Sequence, residues 1–337
     1  MNKKKFGSQS YQFPNPPVIK AWASIAGPKE AQGPLKNTYD YICEDAYFGQ
    51  KTWEQGEQHM QQLALKKLSD KAGIILDDIQ LVLSGDLLNQ CIGSSFALKN
   101  KNIPFLGLYG ACSTMAESIL VGSLIVSGGF ADQVVAMTSS HFASSERQYR
   151  FPLNYGGQRP PTSQWTVTGS GSVLLSSAGT GPKVTECTIG TVVDLGITDA
   201  NNMGAAMAPA ANATIRVHLQ DFQRRPDDYD LIVTGDLGQT GAELLRNLCI
   251  RDGFSIGGRH IDCGTMVYNL QAQDTHSGGS GCGCSAIVLC GYLLEKLRSQ
   301  TLKRILFCGT GALLSPTSTQ QGLPIPGICH AVTLECE

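Results

Sequence analysis

The chain contains no apolar run near the roughly 18 residues that a membrane span requires. It also has little charge: 16% of its 337 residues are Asp, Glu, Lys or Arg, with a formal net charge of −2. Basic residues are scattered, and only Lys3–Lys5 forms a run. A nucleic-acid partner is therefore not expected, because no basic stripe exists to meet phosphates. The stretch after those lysines, FGSQSYQFPNPP, lacks the apolar centre of a signal peptide. A cytoplasmic setting follows as the expectation, with the 12 cysteines read as free thiols rather than a disulfide framework. Cys282 and Cys284 have no second close pair at ligand spacing, so neither zinc nor another metal is expected.

What the chain does have is apolar material and glycine: 42% hydrophobic residues and 38 glycines, clustered where strands turn into helices. It also repeats itself. LVLSGDL at Leu81–Leu87 returns as LIVTGDL at Leu231–Leu237, with Leu, Gly, Asp and Leu unchanged and the rest conservatively swapped. Duplication of one α/β unit is the simplest cause. After an N-terminal arm over residues 1–17, the reading divides the chain into halves at 18–178 and 183–336. VIKAWASIAG, IQLVLSGDL, IPFLGLYGA, QVVAMTSS and SGSVLLSSAG read as strands of the first half. Thr52 before an amphipathic run and Gly73 after it predict a capped helix. Ser113–Gly129 is apolar nearly all round, which predicts a helix buried on most faces. KVTECTIG, YDLIVTGDL, RILFCGTGALL and HAVTLECE repeat the strand order. GCSAIVLCGYLLEKLRSQ repeats the buried helix. The implied architecture is two mixed sheets around two buried helices, with other helices outside: five layers, αβαβα.

Cys112 stands where a buried strand meets the first buried helix. There the helix N-terminus would favour thiolate, the nucleophilic form. A small core cysteine is the competing reading. His276, in DTHSGGSGCG, precedes the turn into the second buried helix and could exchange a proton near neutral pH. A histidine bonded to loop backbone is its alternative. Cys308 ends a strand at a glycine turn, a place where packing is commoner than catalysis. The long connection His141–Ser172 carries Arg147, Arg150 and Arg159 with Tyr149, Tyr155 and Trp165. Guanidinium forks and aromatic faces suit a flat anion, although solvated or subunit-contact arginines would look the same. Asp86 and Asp236, closing the repeated strands, are turn residues or ligand contacts.

With the duplication, YGACST, HSGGSGCG and CGTG in this order, the chain resembles the thiolase and ketoacyl synthase superfamily. The resemblance implies a nucleophilic Cys112, a glycine turn of His276, Gly279 and Gly281, and an acid/base Cys308. Departures accompany it. Ser277 replaces the proline of the thiolase turn and Ser170 the aspartate of a Gly-Asp-Gly turn. Gly235, Asp236 and Leu237 stand where initiating ketoacyl synthases carry a catalytic histidine. No segment resembles a pantetheine or adenine binder, and no cofactor is expected. GDLLNQ, RQYRFPLNYGGQRPPTSQWTVTGSG and HSGGSGCGCSA look like a stage V sporulation family of spore-forming bacteria within this superfamily. That likeness implies binding of dipicolinic acid, with or without calcium, for uptake into the developing spore. The expected ligand contacts are Arg147, Arg150, Arg159, Tyr149, Cys112, His276, Gly279 and Ser280. The expected partners are membrane proteins of the same transport assembly and a second copy of the chain, with a peripheral location at the inner spore membrane. Two rival functions stay open: a working acyl-CoA thiolase or ketoacyl synthase using Cys112, His276 and Cys308, and a purely structural subunit of a membrane assembly.

Overall fold

The structure, a computed structural model, describes residues 4–149 and 159–336. Its first half runs β1 (Val18–Ala26), α1 (Trp53–Ala72), β2 (Leu81–Gly85), β3 (Phe105–Gly107), α2 (Thr114–Ser127), β4 (Gln133–Ser140), α3 (Phe142–Tyr149) and β5 (Gly169–Ser176). The second half runs β6 (Lys183–Thr188), α4 (Met203–Asp221), β7 (Leu231–Thr234), α5 (Gly238–Arg251), β8 (His260–Asp262), α6 (Cys282–Val288), α7 (Leu294–Arg298), β9 (Arg304–Ala312) and β10 (Gly327–Glu335). A π-helical turn at Leu289–Leu293 links α6 to α7.

Strand order in the first half is β3-β2-β4-β5-β1, and in the second β8-β7-β9-β10-β6. The repeated strands therefore occupy matching places. β2 lies parallel between β3 and β4, as β7 does between β8 and β9. Both half-sheets then close through antiparallel neighbours. Among the described residues a single ladder pair, Lys183 with Val18, joins β6 to β1 and makes one sheet of the two.

Alternation along the repeated strands explains the layers. A strand with both faces covered reads as an unbroken apolar run, with successive side chains facing opposite ways. Val82 points outward to Met60, Leu65 and Leu68 of α1, whereas Leu83 points inward. In the copy, Ile232 faces α4 and α5 through Ile215 and Leu245, whereas Val233 points inward. The shared interior holds Met115 and Ile119 of α2 with Ile287 and Val288 of α6. Five layers result, as the sequence implied. α1 begins where Thr52 accepts the Gln55 N–H at 3.2 Å and ends at Gly73, whose φ of 65° only glycine adopts freely.

One expectation is corrected. His141–Ser172 is not a bare connection. It opens with α3, whose Ser144 and Ser145 are buried while Arg147 faces out. Further on, Trp165–Thr166 pairs in parallel with Gly279–Ser280. Phe142 stacks on Trp165 with ring centroids 3.9 Å apart, which ties the start of α3 to that short pair.

Candidate functional site

A cavity of about 100 Å³ opens where strand ends meet the start of α2. Cys112, Ala111, Ser280, Thr166, Tyr149, Met203 and Leu314 line it, with the exposed Tyr109 at its mouth. Open α/β sheets bind ligands at this place, beyond the strand ends and against helix N-termini. The turn entering α2 is tight. Ala111 has φ of 50°, uncommon for a residue with a side chain. Ser113 Oγ donates to Gly110 O and Thr114 Oγ1 to Ala111 O, both at 2.6 Å, and hold it there. Tyr149 is fixed at the mouth, its hydroxyl donating to Leu87 O at 2.9 Å and lying 3.0 Å from the Tyr109 hydroxyl.

Behind Ser280 and Cys112 lies Asp236, fully buried. Its carboxylate accepts from Gly281 N–H at 2.9 Å, Thr310 Oγ1 at 2.9 Å and Ser280 Oγ at 3.2 Å, and faces the Cys112 thiol. Burial pushes Asp236 up to about 6 despite these donors. The Cys112 thiol is pushed well above its ordinary range, by burial first and by Asp236 second. Both effects work against the expected thiolate. Desolvation and a facing carboxylate oppose the helix N-terminus and favour the protonated thiol. The sequence had Asp236 only as a turn residue or ligand contact. The absence of histidine at this repeated strand end was the available signal that something else stood there.

The other half uses its matching aspartate differently. Asp86 accepts from Leu88 N–H at 3.0 Å and from Ser94 N–H and Oγ, both at 2.7 Å, which fixes the start of the short helix Ile92–Leu98. Nearby Glu57 accepts from Ser139 Oγ at 2.9 Å and Ser144 Oγ at 2.7 Å. Burial pushes both acids upward, and the charge of Asp86 adds to the shift of Glu57.

Several expected contacts are not brought together. His276 does not face Cys112. Its Nδ1 lies 2.8 Å from Pro160 O and its Nε2 3.0 Å from Asp274 Oδ1, in a separate surface cleft. The loop-bonded alternative is the one the structure adopts, with the backbone at His276 in the left-handed region (φ 53°). Cys308 points into the outer core beside Cys329 and Cys249, since alternation gives the inner face to Phe307 and Gly309. Gly279 is buried behind the cavity, its carbonyl accepting from Gln164 Nε2 at 2.8 Å. Arg147 pairs with Glu54 and lies over Trp53 at 5.4 Å. Arg159 pairs with Asp274 and lies over Trp165 at 5.2 Å. Arg150 and Tyr155 lie outside the described residues. Of the expected set, Cys112, Tyr149 and Ser280 line the cavity, and no described Lys, Arg or His does.

Solved structures with this fold include 3-oxoacyl-[acyl-carrier-protein] synthase III from Aquifex aeolicus, at 12% identity and a TM-score of 0.57 over 95% of this chain and 99% of that one. A variant of Xanthomonas campestris OleA is 14% identical, with a TM-score of 0.63 over 96% and 99% of the two chains. These likenesses establish the thiolase-like fold. Stage V sporulation protein AD of Bacillus subtilis is 44% identical over 332 residues, 98% of each chain. The sequence model of that family matches residues 7–335, and the chain belongs to the stage V sporulation protein AD family.

Proposed function

We propose that the cavity above Cys112 binds dipicolinic acid, pyridine-2,6-dicarboxylate, for uptake into the developing spore, without condensing acyl thioesters. The observation that supports this best is that the Cys112 thiol faces a buried carboxylate, with no imidazole lining the cavity among the described residues. A condensing cysteine needs a base that yields thiolate and a donor set for the carbonyl oxygen. Asp236 instead holds the proton on sulfur. The small cavity suits one planar ring better than a long acyl chain, and the Tyr109 and Tyr149 rings offer aromatic faces to it. The proposal extends to action beside membrane proteins of the same assembly, peripherally at the inner spore membrane. No described helix is long and apolar enough to cross a membrane itself. A homodimer is proposed as well, through the exposed edge strand β3 with its outward Leu106.

Titration calorimetry with dipicolinate, with and without calcium, beside acetyl- and acetoacetyl-CoA, tests the function. Saturable dipicolinate binding with no Cys112-dependent turnover is expected. Thiolysis or condensation lost in Cys112→Ala, with no dipicolinate binding, would establish the rival enzyme instead.

A further inference from the structure

The cavity poses an electrostatic problem for any carboxylate ligand. Its described lining carries no cation and one carboxylate, Glu146, and behind the lining residue Ser280 stands the fully buried Asp236. The groups facing Asp236 from each packed element offer no countercharge. The turn into α2 presents the Cys112 thiol. The turn into α6 presents Ser280 Oγ and Gly281 N–H, with the Cys282 and Cys284 thiols beyond them. β9 contributes Thr310 Oγ1. From the end of β8 come Asp262, a second buried carboxylate, and the Cys263 thiol. Asp262 is held by Leu237 and Gly238 N–H groups, each at 2.9 Å, and so is fixed close by. On the chain's other side, Gln164 donates to Asp236 O, not to its carboxylate.

We propose that Asp236 is a specificity-determining residue that couples ligand binding to proton uptake. An anionic ligand enters the cavity together with one proton, and that proton comes to rest on the Asp236 carboxyl. The inference rests on the proposed dipicolinate site and deepens it. Two carboxylates sharing a water-poor site cannot both remain ionised, and one is driven to keep its proton. The ligand's pyridine carboxylates are exposed to solvent before binding and enter as anions. Of the two buried acids, Asp262 is raised further, to about 7, but Asp236, raised to about 6, is the one bonded to the lining residue Ser280, so the charge of the ligand falls on it first. Proton balance is simple: one solvent proton is gained per ligand bound, no bond other than O–H forms, and no electrons move. The protonated carboxyl then becomes a donor, and the Ser280 hydroxyl, which now donates to it at 3.2 Å, is released to turn toward the ligand.

The sign follows from linkage. Asp236 is more easily protonated with ligand present than without it, so binding is favoured at low pH. Affinity weakens as pH rises above about 6, by up to about tenfold per pH unit until the carboxyl of the bound state also ionises. A ligand without negative charge gains nothing from the device.

The test is calorimetric titration of the full chain with dipicolinate from pH 5.5 to 8.5, in buffers of differing ionisation heat. Wild-type protein should take up close to one proton per ligand near pH 7.5. Asp236→Asn should bind with little proton uptake and a flat pH profile, since the amide keeps the acceptor oxygen but cannot titrate. Dipicolinate binding without proton uptake in the wild type would overturn the inference while leaving the proposed ligand standing, and this measurement needs no variant to fold. Equal proton uptake in Asp236→Asn would also overturn it, by moving the proton to another group. No dipicolinate binding at any pH would remove both the proposed function and the inference.

Discussion

The turn that carries Cys112 is wedged against glycines of β9, and one added methyl group measures how much the cavity depends on that fit. In Gly311→Ala the new Cβ would lie 2.4 Å from Gly110 O and 3.2 Å from Ser113 N, whereas ordinary contacts begin at 3.4 Å. About 1 Å must therefore be recovered by movement. β9 cannot retreat easily, because Gly311 is paired with Ile328 in the β10 ladder. The turn must yield instead, against the Ser113 Oγ bond to Gly110 O. Overpacking of this kind costs about 1–3 kcal/mol. With roughly 2.1 cal/mol/K of unfolding entropy per residue, that lowers Tm by about 1–4 °C for a chain of this length. The larger effect is local: Cys112 and Ala111 move into the cavity, and dipicolinate affinity falls by at least about tenfold, equivalent to roughly 1.4 kcal/mol. Gly258→Ala is the control, since a methyl group there meets open space. Scanning calorimetry and ligand titration on the same samples give both readouts. A Gly311→Ala protein that melts and binds like the control would refute the wedging of the turn.

At pH 7.5 iodoacetamide should label the partly exposed Cys43 and Cys336 well before Cys112, as followed by peptide mass spectrometry. Faster labelling of Cys112 would show that the helix N-terminus does prevail over burial. Arg147→Ala should leave dipicolinate affinity within about threefold, because its guanidinium serves Glu54 and Trp53. Tyr149→Phe should weaken it by about two- to tenfold through the loss of a hydroxyl anchored on Leu87 O. Titration calorimetry ranks the two. Glu57 is raised in the fold above its unfolded value, so its protonated form binds its proton more tightly when folded. That contribution is complete below the ordinary carboxyl range and is lost as pH rises toward and past neutrality. Tm should fall over this window, and Glu57→Gln should flatten the decline. An unchanged slope in the variant would assign the pH dependence elsewhere.

The duplication could be read directly, because LVLSGDL and LIVTGDL carry their own pattern. Both are buried on two faces, and both take the same station in their half-sheets. Thr52 and Gly73 marked α1 to the residue, since capping is local chemistry. The site was less legible. Cys112 was found because its small neighbours and the following apolar helix are adjacent in sequence. The direction of His276 depends on one backbone dihedral, which no spacing reveals. Cys308 could have been assigned outward had the inner face of its strand been fixed by Gly309, whose added Cβ would meet Ala116 at 2.7 Å. Arg147 looked like a ligand contact only while α3 was taken for loop. The weight of Asp236 was hidden because its partners Gly281, Ser280 and Thr310 come from distant segments, and burial is a property of their convergence.

The seam between the halves has a mechanical consequence. Main-chain pairing across it is short, with Lys183 on Val18, Trp165–Thr166 on Gly279–Ser280 and Ser10–Gln12 on Glu186–Thr188, while the interior shared by α2 and α6 draws side chains from both half-sheets. Cohesion of the two halves is therefore mainly lateral, through packed apolar surface, with these short pairings as staples. The connecting segment Ser177–Thr180 is exposed. A protease cut there should leave two fragments that migrate together under native conditions and separate only in denaturant. Each fragment alone would expose half of a core built for two and should aggregate rather than fold. A chain written twice thus behaves as a single cooperative body, whose most dispensable peptide bond lies near its middle.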